Sequence, residues 1–206
     1  MKKTPEKILD TALTLFNARG LSNVTLRTIA KEMGISQGNL NYHFKKRHHI
    51  IEALYFQLVA LMDKSMIAHH QPSVGLQLMF DISAEVMKNS YEYRFILLDF
   101  AQIMRENRVI KKHYQKLTKL RQEQFGSLIN IMVAHGIIRK EKLQNEYLFL
   151  YQRFQILGDF WISAAEITHT TISKTTMSEY YTITTQAIYP YLTAKGVKEY
   201  HAIVSS

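Results

Sequence analysis

Residues 25–44 read TLRTIAKEMGISQGNLNYHF and carry the clearest structural signal of the chain. Thr25 is a good N-cap residue, and apolar residues at three- and four-residue spacing behind it predict a short helix that ends at Gly34. Ser36 is the next N-cap residue, and it predicts a second short helix in which Leu40 packs inward together with Phe44. Two short helices joined by a tight turn that contains glycine are typical of a helix-turn-helix unit.

The rest of the chain also has helical periodicity. Apolar residues from Ile8 to Phe16 predict a first helix that Gly20 closes, and a long helix opens near Lys46 and ends before Pro72. Further helices are expected over residues 74–90, 91–106, 109–135, 146–167 and 180–194, with a loop rich in threonine and serine over 168–178. We therefore predict an all-α protein. A three-helix, helix-turn-helix domain would occupy residues 1–46, and a second α-helical domain would occupy residues 47–206.

Composition and charge restrict the classes of function that the chain can have. Hydrophobic residues make up 47% of the 206 residues, which is ample for a core, and the absence of cysteine excludes disulfides and thiolate metal sites. No apolar run approaches the ~18 residues of a membrane span, and no signal peptide is evident, so a cytoplasmic protein without membrane association is expected. The first 50 residues hold nine basic and three acidic side chains. This balance suits a nucleic-acid binder, although a solvated basic surface would give the same count.

Residues 5–55 resemble the tetracycline-repressor (TetR) family of bacterial regulators. The features that carry the resemblance are the helix end Phe16…Arg19-Gly20, the helix Thr25…Ile29-Ala30, the turn Gly34-Ile35-Ser36, the pair Leu40…Phe44 and the basic Arg47. The resemblance implies a homodimer that inserts one short helix of each subunit into a major groove of double-stranded DNA. It also implies that the domain over residues 1–46 binds DNA. The α-helical domain over residues 47–206 would then be an effector-binding and dimerisation domain, whose helices hold the dimer together around a small-molecule effector. The chain departs from the family's habit at Asn39 and Asn41, and at His48-His49, where acidic residues are usual.

The second helix of the helix-turn-helix carries the residues expected to read base edges. Side-chain amides pair with adenine through one donor and one acceptor, which makes Gln37, Asn39 and Asn41 candidate base readers. Tyr42 could contact a thymine methyl group or a phosphate. His43 could donate to a phosphate.

Other candidates would bring the backbone close to DNA or contact its phosphates. Gly38 would allow the backbone to approach DNA closely. Phosphate contacts set the register of a protein on DNA, and two clusters flank the reading helix in positions that suit them. These clusters are Thr25 with Arg27, and Lys45-Lys46-Arg47. The resemblance points to Arg27 and Arg47 for backbone contact, with Arg27 also able to reach a base.

Aromatic, methionine and interleaved polar side chains are dense after residue 79, and pockets for apolar ligands have this composition. The same stripes are also typical of an ordinary helical core, so both interpretations stay open. The candidate effector-binding residues are Phe80, Tyr93, Phe100, Gln102, Met104, His113, Tyr151, Phe154, Gln155 and Trp161. The helix over 146–167 is apolar almost all round, and together with the last predicted helix it is the candidate dimer interface.

The function predicted from the sequence is a sequence-specific transcriptional regulator. We expect a repressor that a small apolar or aromatic effector releases from a palindromic operator. The alternative is a DNA-binding regulator that a protein partner controls, without a small-molecule effector. An enzyme is not expected, because the sequence has no phosphate-binding glycine loop, no Gly-x-Ser-x-Gly elbow and no His-Glu-x-x-His spacing. No cofactor and no metal site are expected.

Overall fold

The computed structural model describes residues 3–68 and 75–205. Within these ranges all regular secondary structure is helical, apart from one isolated antiparallel bridge between Ile138 and Leu192. The helices are α1 (Thr4–Arg19), α2 (Leu26–Glu32), α3 (Gln37–His43), α4 (Arg47–Ala68), α5 (Leu76–Glu92), α6 (Arg94–Leu98), α7 (Phe100–Glu106), α8 (Arg108–Ala134), α9 (Glu146–Thr168), α10 (Lys174–Gln186) and α11 (Ala194–Val204). Short 3₁₀ turns occupy Leu21–Asn23 and Tyr189–Tyr191. The prediction of an all-α fold with an N-terminal helix-turn-helix is confirmed.

Contacts divide the chain into two compact units. The first unit comprises Met1–Leu61 and Ser90–His113, and it contains the helix-turn-helix. Its core is built on the apolar face of α1, where Phe16 stacks on Phe95 with ring centroids 4.9 Å apart. The buried residues of α1 are Ile8, Leu9, Ala12, Leu15 and Phe16.

The second unit comprises Met62–Asn89 and Tyr114–Ser206. Its hydrophobic core joins residues from α5, α8, α9 and α11 with the turn after α8 and the turn before α11. The fully or largely buried members are Leu76, Met79, Phe80, Ile129, Met132, Ile137, Ile138, Leu150, Ile188, Tyr191 and Tyr200. Helix α10 packs against α9 in the same unit.

Three helix predictions differ from the structure. The single helix expected over 91–106 is two short helices, because Asp99 leaves helical geometry with φ −101° and ψ 20°. Part of the loop expected over 168–178 belongs to α10, which Ser173 begins with a capping box to Thr176. The last predicted helix ends early, at Gln186, and α11 was not predicted. The expected end of the long helix before Pro72 agrees with the end of α4 at Ala68, while Pro72 itself lies outside the described residues.

Candidate nucleic-acid interface

Side-chain caps position the two short helices of the helix-turn-helix. The Thr25 hydroxyl accepts a hydrogen bond from the Thr28 amide at 3.2 Å, and the Thr28 hydroxyl accepts one from the Thr25 amide at 2.8 Å. The turn after α2 is made at Gly34, whose φ of +65° is costly for residues with a side chain. The Ser36 hydroxyl then accepts from the Asn39 amide at 3.1 Å and begins α3. Each cap satisfies a backbone N–H group that would otherwise lack a partner at a helix start.

Helix α3 presents opposite faces to the core and to solvent. Leu40 is fully buried and anchors the helix, as predicted, while Phe44 is only half-buried. On the other face Gln37, Gly38 and Asn39 are exposed, and Tyr42 leaves 84% of its surface exposed. A large aromatic side chain this exposed on a short, polar helix takes no part in the core. This face of α3 is therefore available to contact base edges in the major groove of DNA.

Asn41 and His43 are less accessible than the other candidate readers. The Asn41 Oδ1 atom is buried and has no hydrogen-bond partner within the described residues. A bidentate contact with adenine uses both amide atoms, so Asn41 must rotate its side chain before it can make one. His43 is half-buried, with its ring edge against Tyr42 at a centroid distance of 5.1 Å.

Most of the flanking phosphate-binding candidates are exposed. Arg27, Lys45 and Lys46 lie in solvent, and Thr25 is also exposed although its hydroxyl oxygen accepts the capping bond. That bond leaves the hydroxyl proton of Thr25 able to donate to a phosphate.

Arg47 has partners inside the protein. Its Nη1 donates to the backbone carbonyls of Leu21 at 2.7 Å and Val24 at 3.2 Å. These bonds tie the start of α4 to the chain between α1 and α2. The Nη2 and Nε groups of Arg47 carry further N–H donors that suit a phosphate.

Contacts that the sequence did not indicate join α1 and α4 to the later helices of the same unit. The Asn17 side chain donates to the Glu92 carbonyl at 2.7 Å and accepts from the Phe95 amide at 3.1 Å. Asn107 donates to Glu52 Oε1 at 2.8 Å. These polar links place the ends of α5 and α7 directly against helices that position the helix-turn-helix.

The candidate effector residues fall into separate groups. Tyr93, Phe100, Gln102, Met104 and His113 belong to the first unit. Of these, Gln102 is exposed and donates to Glu106 at 2.9 Å, and His113 Nδ1 is hydrogen-bonded to the Tyr55 hydroxyl at 3.0 Å.

The other five candidates belong to the second unit. Phe80 lies in its core, with ring contacts to Tyr181 and Tyr200. Trp161 is also buried, and its indole Nε1 has no hydrogen-bond partner within the described residues. The last three, Tyr151, Phe154 and Gln155, share one region.

In that region the rings of Tyr151 and Phe154 each lie 5.7 Å from the Phe125 ring. The Gln155 amide donates to the Tyr114 hydroxyl at 3.0 Å, and that hydroxyl donates to Asp159 Oδ2. The sequence pattern did not indicate Tyr114 as part of this region, because its partner Asp159 lies 45 residues further along the chain.

Burial changes the proton affinities of this cluster. It raises the pKa of Asp159 from 3.8 to about 6, while hydrogen bonds from Tyr114 and Gln155 oppose the rise. Burial and the adjacent Asp159 charge also raise the pKa of Tyr114 well above its usual value. The region between α8 and α9 therefore combines an aromatic surround with a carboxyl group that ionises close to neutral pH.

A capped helix-turn-helix with an exposed polar face, flanked by exposed basic side chains, defines a DNA-binding protein of the helix-turn-helix class. The family model described as "TetR: Bacterial transcriptional repressor" matches residues 57–200, and "Bacterial regulatory proteins, tetR family" matches residues 8–54. Together they cover most of the sequence. The chain belongs to the TetR family of bacterial transcriptional regulators, and the resemblance found in the sequence is confirmed.

Individual relatives agree with this assignment. The HTH-type transcriptional regulator YerO of Bacillus subtilis (strain 168) is 26% identical over 145 residues, which are 68% of this chain and 50% of that protein. The chain thus spans half the length of this relative. A TetR-family regulator from Marinobacter aquaeolei VT8 has a similar structure, with a TM-score of 0.82, 23% identity, and coverage of 98% of this chain and 97% of the other. A transcriptional regulator from Saccharomonospora viridis, solved in complex with choline, has a TM-score of 0.70, 19% identity, and coverage of 90% and 95%.

No helix within the described residues is long and apolar enough to cross a membrane.

Proposed function

We propose that this protein is a homodimeric repressor that binds a palindromic operator through α3 and is released from it by a small apolar or aromatic effector. The exposed face of α3 is the main support for the DNA-binding part of this proposal. Gln37, Asn39 and Tyr42 lie on that face, and the buried Leu40 anchors the helix. Within this proposal residues 1–46 bind DNA, and residues 47–206 dimerise and bind the effector.

The proposed dimer interface is an apolar stripe on α9. Phe149, Ile156, Phe160 and Ile167 recur at spacings of seven and four residues, so they lie on one face of the helix. All four are exposed, Ile156 by 59% and Ile167 by 85%. The opposite face of α9 buries Leu150, Trp161 and Ile162 in the subunit core. A helix that is buried on one side and apolar on the other is typical of a subunit interface.

The proposed effector site is the interior between α8 and α9. Tyr151 and Phe154 supply apolar surface, and Gln155, Tyr114 and Asp159 supply polar groups that could orient a bound molecule. Ligand pockets are mostly apolar with a few placed polar groups. The choline complex of the Saccharomonospora viridis regulator supports a small-molecule effector for a protein of this fold.

The DNA-binding part is tested by changing the exposed face of α3 without changing its core. Gln37→Ala and Tyr42→Ala should each lose discrimination among duplexes in fluorescence-anisotropy titrations, because these side chains face the groove. Tyr189→Ala, which removes another exposed tyrosine, serves as the matched control and should bind as the wild type does. Wild-type discrimination by both α3 variants would contradict the proposed reading face.

The dimer is tested with Ile156→Glu, which places a charge in the centre of the α9 stripe. Sedimentation equilibrium should show a monomer, and operator affinity should fall, because two linked reading heads no longer bind together. Leu143→Glu, an equally apolar exposed position outside α9, should remain a dimer. A dimeric Ile156→Glu protein would place the interface elsewhere.

Release is tested by screening aromatic and amphiphilic compounds for loss of operator binding. Phe154→Ala should weaken the effect of an active compound while leaving operator affinity unchanged. If no small molecule releases the protein, control by a protein partner becomes the better account.

A further inference from the structure

Four basic side chains form a cluster at the junction of α7 and α8. Arg105 lies in α7, and Arg108, Lys111 and Lys112 lie in the first turns of α8. All four are exposed, and none forms a salt bridge within the described part of the chain. We propose that this α7–α8 basic cluster binds backbone phosphates of the same duplex that α3 reads, outside the groove that α3 occupies.

The cluster occupies the solvent side of α8. Ile110 is fully buried and Asn107 is largely buried, so one side of the helix start faces the core. Lys111 and Lys112 follow Arg108 by three and four residues, and all three side chains project away from that side. The acidic residue nearest in sequence is Glu106, which accepts a hydrogen bond from Gln102 at 2.9 Å. The cluster therefore presents four positive charges beside two carboxylates, Glu106 and the Glu52 group that accepts a hydrogen bond from Asn107.

Two hydrogen bonds fix the cluster close to the DNA-binding residues. Asn107 donates to Glu52 Oε1 at 2.8 Å and accepts from the Ile110 amide at 3.0 Å, so it ties the start of α8 to the first turns of α4. Glu52 follows Lys46 by six residues, which is ~9 Å of rise along a helix. The Debye length at physiological salt is about 8 Å. Because that rise already exceeds the Debye length, the cluster would act on phosphates that it contacts directly, beside those that Lys46 would contact.

A polyanion fits this cluster better than one small anion. The four cations are solvent-exposed, and no buried unpaired polar atom lies among them in the described residues. Small-anion sites are usually concave and use fixed backbone or side-chain donors. A DNA backbone instead offers a regular row of charges, and neutralising them releases counterions. The cluster also belongs to the same compact unit as the helix-turn-helix.

This inference rests on the proposed DNA-binding function, and one experiment separates the two. The variant carries Arg105→Gln, Arg108→Gln, Lys111→Gln and Lys112→Gln together. The control carries Lys140→Gln, Lys142→Gln, Lys174→Gln and Lys198→Gln, which remove the same charge from exposed positions in the other unit. Circular dichroism and thermal unfolding check that both remain folded. Dissociation constants for a duplex selected by the wild-type protein are then measured between about 50 and 200 mM salt.

We expect the slope of log affinity against log salt to become shallower by about 0.9 for each phosphate that the protein no longer neutralises. The cluster variant should leave one to four phosphates without a cation, weaken binding to all duplexes alike and keep the wild-type preference among sequences. The slope of the control variant should stay closer to the wild-type slope than that of the cluster variant. A charge-retaining variant, Arg105→Lys with Arg108→Lys, should also keep it.

Equal slopes for the cluster variant and the control would overturn the proposed phosphate binding while leaving the α3 interface intact. A wild-type protein that selects no sequence would overturn the proposed function itself, and this inference with it.

Discussion

Replacing Asp159 by asparagine should stabilise the folded protein at neutral pH. Burial raises the pKa of Asp159 to about 6, which means that the ionised carboxylate is disfavoured in the folded state. Asparagine has nearly the same shape and keeps an oxygen that can accept the hydrogen bond donated by Tyr114. The substitution therefore removes the cost of a buried charge while leaving the local packing in place.

The size of the effect follows from the shift in pKa. A rise from 3.8 to about 6 is roughly two units, and each unit corresponds to about 1.4 kcal/mol, so the upper limit is about 3 kcal/mol. Partial exposure of the side chain lowers this figure. The sign follows from proton binding. Between the two pKa values the folded state binds more protons than the unfolded state, so stability falls as pH rises through this window.

Urea unfolding at pH 4 and pH 7.5, followed by the fluorescence of Trp161, measures both proteins. The advantage of Asp159→Asn over the wild type should be small at pH 4 and should grow by up to about 3 kcal/mol at pH 7.5. Glu166→Gln, an exposed change on the same helix, provides the control and should show no such growth. A pH-independent difference between Asp159→Asn and the wild type would refute the claim that this carboxyl group is buried and ionised at neutral pH.

Three further substitutions test other contacts. Arg47→Met should lower the free energy of unfolding by about 1.5–3 kcal/mol, because two backbone carbonyls lose a charged hydrogen-bond donor. Unchanged thermal stability together with weaker DNA binding would assign Arg47 to phosphate contact alone. Ser36→Ala removes the cap of α3 and should cost about 1 kcal/mol in urea unfolding, whereas an unchanged midpoint would show that the cap is dispensable. Arg139 holds the pKa of Glu146 at about 2, so wild-type stability should fall as pH drops from 4.5 toward 2. Glu146→Gln should lack that fall in thermal scans, and identical acid sensitivity would contradict the role of this ion pair.

The helix-turn-helix could be predicted from the sequence because its signals are local. Thr25 and Ser36 cap the helices that follow them, and Gly34 makes the turn between them. Each of these features depends on residues only a few positions away. The apolar spacing of Leu40 likewise predicted which face of α3 is buried. The order and approximate bounds of the long helices α8 and α9 follow from the same short-range periodicity.

The remaining features depend on contacts between distant parts of the chain. Arg47 contacts carbonyls 23 and 26 residues earlier, and nothing in its own segment indicates this. The Tyr114–Asp159 bond likewise joins α8 to α9. Helix α11 was missed because the stretch before it contains proline and the stretch after its start contains glycine, which are usual signs of a loop.

Selection from a random duplex library shows whether a dimer of this protein reads a specific duplex through α3. The purified wild-type protein and the Tyr42→Ala variant would be selected in parallel at near-physiological salt, and bound stoichiometry measured for the recovered duplex. We expect the wild type to recover a palindrome bound by two subunits, with half-site centres about 34–36 Å or a multiple of that distance apart. The variant should recover a weaker or altered sequence. Binding without any sequence enrichment, sensitive only to salt, would contradict sequence-specific reading by α3.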